Sequence, residues 1–255
     1  MGDYMFKIGD YVTRKSYNND IIFKIIDIKD SVYYLKGVDI RLCADSIVDD
    51  LCKTSTIVVN NFNPNIFENK NLNRSEYFYL PGKILHIDGD KDYLKICMDF
   101  YNENKLKVNG IFLKESDISS KIYKLLCEYK PDILVITGHD SFSNKKNHEY
   151  INTSFFIEAI KVARKYEKSH DKLFIIAGAC QSDYKNLIKA GANFASSPNC
   201  VNVHALDPAV IAACLAFSNR NENINILKII NKTKYGVSGF GGIITKGSMY
   251  IGYPR

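Results

Sequence analysis

A histidine and a cysteine in this chain each follow an apolar segment, and together they could perform acyl-transfer chemistry. His139 follows the run 133–136, and Cys180 follows the run 173–177. A cysteine thiolate attacks carbonyl carbons, and an imidazole takes up a proton and returns it to a leaving group. The pair therefore predicts a nucleophile with a general acid–base.

Both residues need strands that bring them together. Apolar runs of this length, bounded by turns and separated by amphipathic stretches, indicate parallel strands covered by helices on both faces. The carboxyl ends of such strands form the functional edge of an open sheet. We therefore expect His139 and Cys180 at neighbouring strand ends.

The region 81–255 predicts an α/β domain with a mostly parallel sheet between helices. Asp207-Pro208 favours a helix start, because proline suits the first helical position. Glycines and short apolar runs between 239 and 252 predict a closing hairpin. The expected strands are 83–88, 108–113, 133–136, 173–177 and 193–196, and the expected helices are about 90–103, 117–129, 153–168 and 208–217.

Small residues surround both candidates. Gly138, Gly178 and Ala179 leave room for a substrate backbone. Cys180 lies where the next helix is expected to begin, and a helix amino terminus favours thiolate over thiol. The backbone N–H groups of Cys180 and Asp140 could hold the oxyanion of a tetrahedral intermediate.

The first 80 residues differ in character from the rest. Closely spaced β-rich segments at 6–12, 22–28, 32–35 and 38–42 predict a small SH3-like β-barrel over residues 1–52. Residues 53–80 are rich in asparagine and predict a flexible linker.

Composition excludes several classes of protein. The chain has 255 residues, of which 46% are hydrophobic and 24% charged, so it is expected to be globular. The net charge of +6 is carried mostly by scattered lysines, so no nucleic-acid partner is expected. No apolar run reaches the roughly 20 residues of a membrane span, and the amino terminus lacks a secretion signal, which predicts a cytoplasmic protein.

The cysteines and glycines point to no cofactor. Seven cysteines without a C-x-x-C pair match neither a zinc site nor a disulfide framework. The histidines are scattered, so no metal is expected. Gly241-Gly242 lacks the following Lys-Ser/Thr pair of a phosphate loop. The oligomeric state has no signal in the sequence.

Several sequence motifs resemble a known family. The order His then Cys, each closing an apolar strand, resembles the clan of cysteine peptidases that contains caspases, gingipains and clostripain. More closely, the chain resembles the YabG family of sporulation-specific proteases. The motifs that carry this resemblance run from residue 8 to about 243 and are IGDYVTRKSYNNDIIFKI, RLCADS, PGKILHIDGD, KPDILVITGHD, IIAGACQS, AGANFASSP, VNVHALDP and GFGGI.

The resemblance implies a caspase-like three-layer sandwich and a cysteine endopeptidase that cuts after arginine. Cys180 would be the nucleophile and His139 its partner. The implied substrates are spore-coat and other spore proteins, and the implied location is the sporulating cell or its spore coat. In the wider clan glycine follows the histidine, whereas Asp140 follows it here.

Arginine selectivity needs a carboxylate, because a guanidinium pairs best with one in a two-pronged hydrogen bond. Candidates are Asp88, Asp90, Asp140 and Asp183. By analogy with arginine-cutting relatives, Asp88 is favoured and Asp183 comes second. Asp90 fits a helix cap as well.

Further residues have two interpretations. Ser196, Ser197 and His204 follow the fifth strand and could line the specificity pocket or make a turn. Arg74, in the predicted linker, is a candidate site of self-cleavage before Ser75.

The sequence leaves two other functions open. An amidotransferase or related hydrolase also uses a strand-end cysteine, generally before its histidine, and Cys180 with His204 has that order. A non-catalytic assembly factor could instead use the predicted barrel to bind coat proteins or nucleic acid.

Overall fold

A computed structural model describes residues 6–54, 62, 64, 66, 78–140, 142–143, 149–199 and 201–252. The chain divides into an amino-terminal unit, residues 1–62, and a carboxyl-terminal unit, residues 63–255. Most of the predicted linker lies outside the described residues, and so do Arg74 and Cys200.

The amino-terminal unit contains an antiparallel sheet in the order β4-β3-β2-β1-β5. Its alternating apolar residues build a small core that includes Val12, Phe23, Ile25 and Leu35. The edge strands β4 and β5 do not pair with each other in the described part of the chain, so the sheet is open and the predicted closed barrel is not shown. The strands are β1 (Tyr11–Arg14), β2 (Phe23–Lys29), β3 (Val32–Gly37), β4 (Cys43–Ile47) and β5 (Leu51–Lys53).

Two strand predictions in this unit are displaced. The first strand begins at Tyr11 because a turn precedes it, in which the Lys7 N–H donates to Asp10 Oδ2 at 3.1 Å. The predicted strand over 38–42 is a loop, closed by the Gly37 N–H donating to the Leu42 carbonyl at 2.8 Å. A Cβ at Gly37 would overlap the Ile40 carbonyl, which explains the glycine.

The carboxyl-terminal unit alternates strands and helices, as predicted. In chain order its elements are β6 (Phe78–Leu80), β7 (Ile84–Asp88), α1 (Lys91–Glu103), β8 (Val108–Phe112), α2 (Glu115–Tyr129), β9 (Ile133–Thr137), β10 (Phe142–Ser143), β11 (Glu149–Tyr150), α3 (Thr153–Tyr166), β12 (Phe174–Ala177), α4 (Tyr184–Ala190), β13 (Phe194–Ser196), α5 (Asp207–Ala216), α6 (Ile226–Ile230), α7 (Gly236–Gly239), β14 (Phe240–Gly242) and β15 (Tyr250–Gly252).

The central sheet has six strands in the order β14-β13-β12-β9-β7-β8. All its pairings are parallel except that of β14 with β13. Every residue of β7 and β9 is buried, as expected for parallel strands with both faces covered. One face packs apolar residues of α2, α3 and α4, and the other faces α1 and α5. The predicted α/β fold with a mostly parallel sheet is confirmed.

The predicted hairpin at the carboxyl end is wrong. β14 pairs with β13 at the edge of the six-stranded sheet, whereas β15 pairs with β6 in a separate two-stranded sheet. Close packing explains the glycines of β14. A Cβ at Gly241 would come within 2.6 Å of the Tyr184 hydroxyl, and one at Gly242 within 2.6 Å of the Phe194 ring.

Candidate active site

The carboxyl ends of β9 and β12 lie side by side. Ile136 and Ala177 are partners in the parallel register, and His139 and Cys180 each lie three residues beyond them. The buried Asp140 links the two loops, because its Oδ2 accepts a hydrogen bond from Ser182 Oγ at 3.0 Å. The sheet therefore brings the loops of the histidine and the cysteine to one edge.

The imidazole of His139 has a carboxylate partner. Its Nε2 lies 2.8 Å from Asp90 Oδ2. The His139 side chain is 25% exposed and that of Asp90 only 9%, so the ring can still meet a substrate while its partner is shielded. Hydrogen bonds also hold the backbone of His139, whose N–H donates to Glu115 Oε1 and whose carbonyl accepts from Asn152 Nδ2, both at 2.8 Å.

Asp90 has two structural roles at once. Its Oδ1 accepts the N–H groups of Asp92 at 2.9 Å and Tyr93 at 3.1 Å, which caps α1 as the sequence suggested. Its other oxygen contacts His139. Sequence reasoning missed this second role, because an aspartate before a helix is explained by capping alone.

Glu115 is a second residue that sequence reasoning missed. It begins α2, and its carboxylate lies between the loops that follow β7 and β9. A Cβ at Gly89 or at Gly138 would overlap Glu115 Oε1, so both glycines are needed for this close approach. In the sequence, these two glycines could have indicated that another group approaches the backbone closely, although nothing linked them to Glu115.

Cys180 lies in a tight loop and not at a helix start. The following helix α4 begins only at Tyr184, so the predicted activation of the thiol by a helix amino terminus is wrong. The loop depends on Gly178, which has φ +115° and where a Cβ would overlap Ser196 Oγ.

The thiol of Cys180 is covered by the loop that precedes α5. Cys180 is wholly buried. The Val203 N–H donates to its Sγ at 3.1 Å, and the Sγ lies 3.7 Å from the Val203 carbonyl oxygen. A substrate carbonyl must reach the Sγ to react, so Val203 must move away before any chemistry at this thiol.

Comparison with known proteins decides the family. A sequence model described as YabG peptidase U57 matches residues 7–254. The chain belongs to the YabG peptidase U57 family. It is 39% identical, over an alignment 284 positions long, to the sporulation-specific protease YabG of Bacillus subtilis (strain 168), and the match covers 98% of each protein. No solved structure was found to match the chain. The resemblance drawn from the sequence motifs is confirmed, and membership of this family makes the protein a peptidase.

The two favoured specificity acids of this peptidase lie in different surroundings. Asp88 is wholly buried, and its oxygens accept hydrogen bonds from the Asp90 N–H at 2.9 Å and Thr137 Oγ1 at 2.8 Å. Asp183 is partly exposed and caps α4 by accepting the Asn186 N–H at 3.1 Å. In this conformation Asp183 is therefore the more accessible of the two.

The residues predicted after the fifth strand are all buried. Ser196 Oγ donates to the Ala179 carbonyl at 2.7 Å, and Ser197 Oγ donates to the Val201 carbonyl at 2.9 Å. His204 directly follows Val203, and its Nδ1 accepts the Leu206 N–H at 3.2 Å. The two serines thus shape the loop around Cys180.

The structure also shows features other than the residues that contact Cys180. Burial raises the pKa of the Tyr184 phenol, which keeps that hydroxyl protonated at neutral pH. A cavity of about 280 Å³ borders Cys214 and Phe217 at the opposite end of α5.

No group of three or more potential ligand side chains that could hold a metal ion occurs among the described residues. None of the helices in the described ranges is long and apolar enough to cross a membrane.

Proposed function

We propose that this peptidase is a cysteine endopeptidase with Cys180 as nucleophile and His139 as general acid–base. The observation that supports this role best is the pairing of His139 with Asp90 at the strand end beside the loop of Cys180. A carboxylate that orients an imidazole next to a nucleophile is the arrangement by which acyl-transfer enzymes activate hydroxyls and thiols.

In this mechanism the Cys180 thiolate attacks the scissile carbonyl carbon and a C–S bond forms. The C–N bond then breaks as His139 gives its proton to the leaving amine. Water attacks the resulting thioester and passes a proton to His139. The C–S bond breaks, the carboxyl product leaves and the thiolate is restored. The N–H groups of Cys180 and Asp140 are the proposed donors to the oxyanion.

The contact between Val203 and Cys180 makes the described conformation a closed one. Productive binding requires the substrate backbone to replace Val203 at the thiol. The N–H and the carbonyl of Val203 already occupy the space next to the Sγ. The backbone of an extended peptide has the same two groups, so it can take the place of Val203 there.

The sheet also supports the proposal of a caspase-like three-layer fold. Five parallel strands with an antiparallel strand at one edge lie between two helical layers. The histidine and the cysteine follow adjacent central strands, β9 and β12, in the chain order expected from the resemblance.

We extend the proposal to cleavage after arginine in spore-coat and other spore proteins. The family resemblance supports both parts of this proposal, and the Bacillus subtilis relative, a sporulation-specific protease, supports the link to sporulation alone. Among the predicted acids, the partly exposed Asp183 is now the better candidate for pairing with the substrate guanidinium.

A panel of short fluorogenic peptides tests this function. With Arg, Lys, Ala or Asp before the scissile bond, we expect the arginine peptide to be cut at least about tenfold faster than the lysine peptide, because guanidinium binds a carboxylate with two hydrogen bonds. The rate of fluorescence release measures this. A thiol alkylator should abolish all cleavage.

Exposed thiols provide the control for alkylation. Cys43 and Cys127 are exposed cysteines, so a Cys43→Ser/Cys127→Ser variant should be inhibited like the wild type. Equal rates for all peptides would contradict arginine selectivity, and full activity after complete alkylation would contradict the cysteine mechanism.

Arg74 is the proposed site of self-cleavage. On incubation of the purified wild type we expect a new amino terminus at Ser75, because an arginine in an asparagine-rich stretch can enter the site of a neighbouring molecule or its own. Intact-mass and amino-terminal analysis over time measure this. Arg74→Gln should stay whole, and the same nick in Cys180→Ala incubated alone would count against self-processing.

A second candidate function is hydrolase or amidotransferase chemistry by Cys180 with His204. The observation in its favour is that His204 is adjacent to Val203, the residue whose backbone contacts the thiol. His139→Ala and His204→Ala separate the two candidates, because only loss of the true general acid–base should abolish turnover.

A further inference from the structure

A chain of buried polar side chains runs through the sheet beneath the candidate site. It joins Tyr101 of α1, His86 of β7, Thr137 of β9 and Asp88 at the end of β7, all wholly buried. Tyr101 OH lies 3.1 Å from His86 Nδ1, and His86 Nε2 lies 3.0 Å from Thr137 Oγ1. Thr137 Oγ1 in turn lies 2.8 Å from Asp88 Oδ2.

These contacts have a consistent direction that ends on a carboxylate. The Thr137 hydroxyl donates to Asp88, so its oxygen accepts from His86 Nε2–H. With the proton on Nε2, which also lies 3.5 Å from Asp88 Oδ2, the Nδ1 of His86 is the atom that can accept the Tyr101 hydroxyl proton. Each donor polarises the next one, which strengthens the whole hydrogen-bonded network in the low-dielectric interior.

The hydrogen-bonded network continues to His139, the proposed general acid–base. Asp88 Oδ1 accepts the Asp90 N–H at 2.9 Å, and this contact fixes the backbone from which the Asp90 side chain reaches His139. Buried polar groups are costly unless they are hydrogen-bonded, and these four side chains satisfy one another, so removing one leaves its neighbour without a partner.

We propose that Asp88, held by Thr137, His86 and Tyr101, is the positioning residue that sets the place of Asp90 against His139. This inference rests on the proposed peptidase mechanism. It gives Asp88 a role different from arginine recognition, because a wholly buried carboxylate with both oxygens engaged orients the loop and does not meet a substrate.

The proposal predicts that the effects of substituting Thr137 and Asp90 on kcat are not additive. Thr137→Val removes the hydroxyl that Asp88 accepts and keeps the shape of the side chain. We expect kcat on the arginine peptide to fall about tenfold with KM unchanged, and the ratio of arginine to lysine cleavage to stay the same. In an Asp90→Asn background the same substitution should cost less than about twofold, because the group through which it acts is already lost.

Controls separate this effect from a general loss of stability. Thr137→Ser keeps the hydroxyl and should restore activity. Thr245→Val removes another buried hydroxyl, one that lies 3.5 Å from Asn193 Nδ2, and should leave kcat unchanged. A thermal melt shows whether Thr137→Val folds. If it does not, Tyr101→Phe replaces it in the comparison, because this change removes only the hydroxyl at the far end of the network. We expect Tyr101→Phe to lower kcat about threefold.

Two results would overturn the inference while leaving the peptidase intact. One is an undiminished tenfold loss from Thr137→Val in the Asp90→Asn background. The other is an Asp88→Asn protein that cuts lysine and arginine peptides at altered relative rates, which would return Asp88 to substrate recognition. Failure of the proposed function itself would show instead as normal cleavage by Cys180→Ala.

Discussion

Replacing Cys180 by alanine should reduce peptide cleavage by about 10⁵-fold, to the background rate, while the protein stays folded. Without the Sγ no covalent intermediate can form, and the remaining groups supply only binding and the backbone donors to the oxyanion. The change removes one buried sulfur and its contacts with Val203, so the thermal melt should shift by only a few degrees. Fluorogenic peptide turnover and a melting curve on the same sample measure both quantities.

Matched variants test whether the effect belongs to this cysteine and to the proposed histidine. Cys214→Ala truncates another buried cysteine, on α5, and should keep normal turnover. His139→Ala should lose about as much activity as Cys180→Ala, whereas His204→Ala should keep most of it. The reverse order of the two histidines would favour the alternative hydrolase, and normal turnover by Cys180→Ala would end the cysteine mechanism.

Asp90→Asn should lower kcat by about 10³-fold with little loss of stability. Asparagine caps helices as well as aspartate does, so its oxygen can keep the N–H groups of Asp92 and Tyr93. Its amide NH₂ would then face His139 Nε2 where a carboxylate oxygen now lies 2.8 Å away. The imidazole would be held in the wrong tautomer for proton transfer, and kcat should fall while KM stays close to its original value.

An aspartate at the other end of the sheet provides the control. Asp132 Oδ2 accepts the Lys83 N–H at 2.8 Å before the strands begin, far from His139. Asp132→Asn should therefore leave kcat unchanged. Near-normal turnover by Asp90→Asn would show that His139 works without its carboxylate, and a large drop in melting temperature would show that the cap was the main role of Asp90.

The sequence predicted those features that depend on local patterns. Apolar runs such as 133–136 and 173–177 were predicted as strands, and both are strands within a residue or two of the expected ends. Their adjacency followed from the rule that consecutive parallel strands tend to be neighbours. Membership of the YabG family was visible in short motifs, and the comparisons confirmed it.

Predictions failed where contacts between distant segments decide the outcome. The carboxyl-terminal glycines were interpreted as a hairpin because glycine favours turns, but Gly241 and Gly242 are needed for close packing against Tyr184 and Phe194. Cys180 was placed at a helix start, whereas Asp183 caps the helix at Tyr184. Nothing in the local sequence indicated that Val203 would cover the thiol.

The amino-acid sequence by itself determined the α/β class, the order of the strands along the chain and the residue types able to perform acyl transfer. These features are local, since apolar periodicity and turn residues act over a few positions. Only the tertiary structure decided which carboxylate meets His139, which carboxylate is buried beneath it and what lies over Cys180. The reason is that hydrogen bonds such as that between Asp90 and His139 join residues far apart in the chain, and their geometry exists only once the sheet has formed.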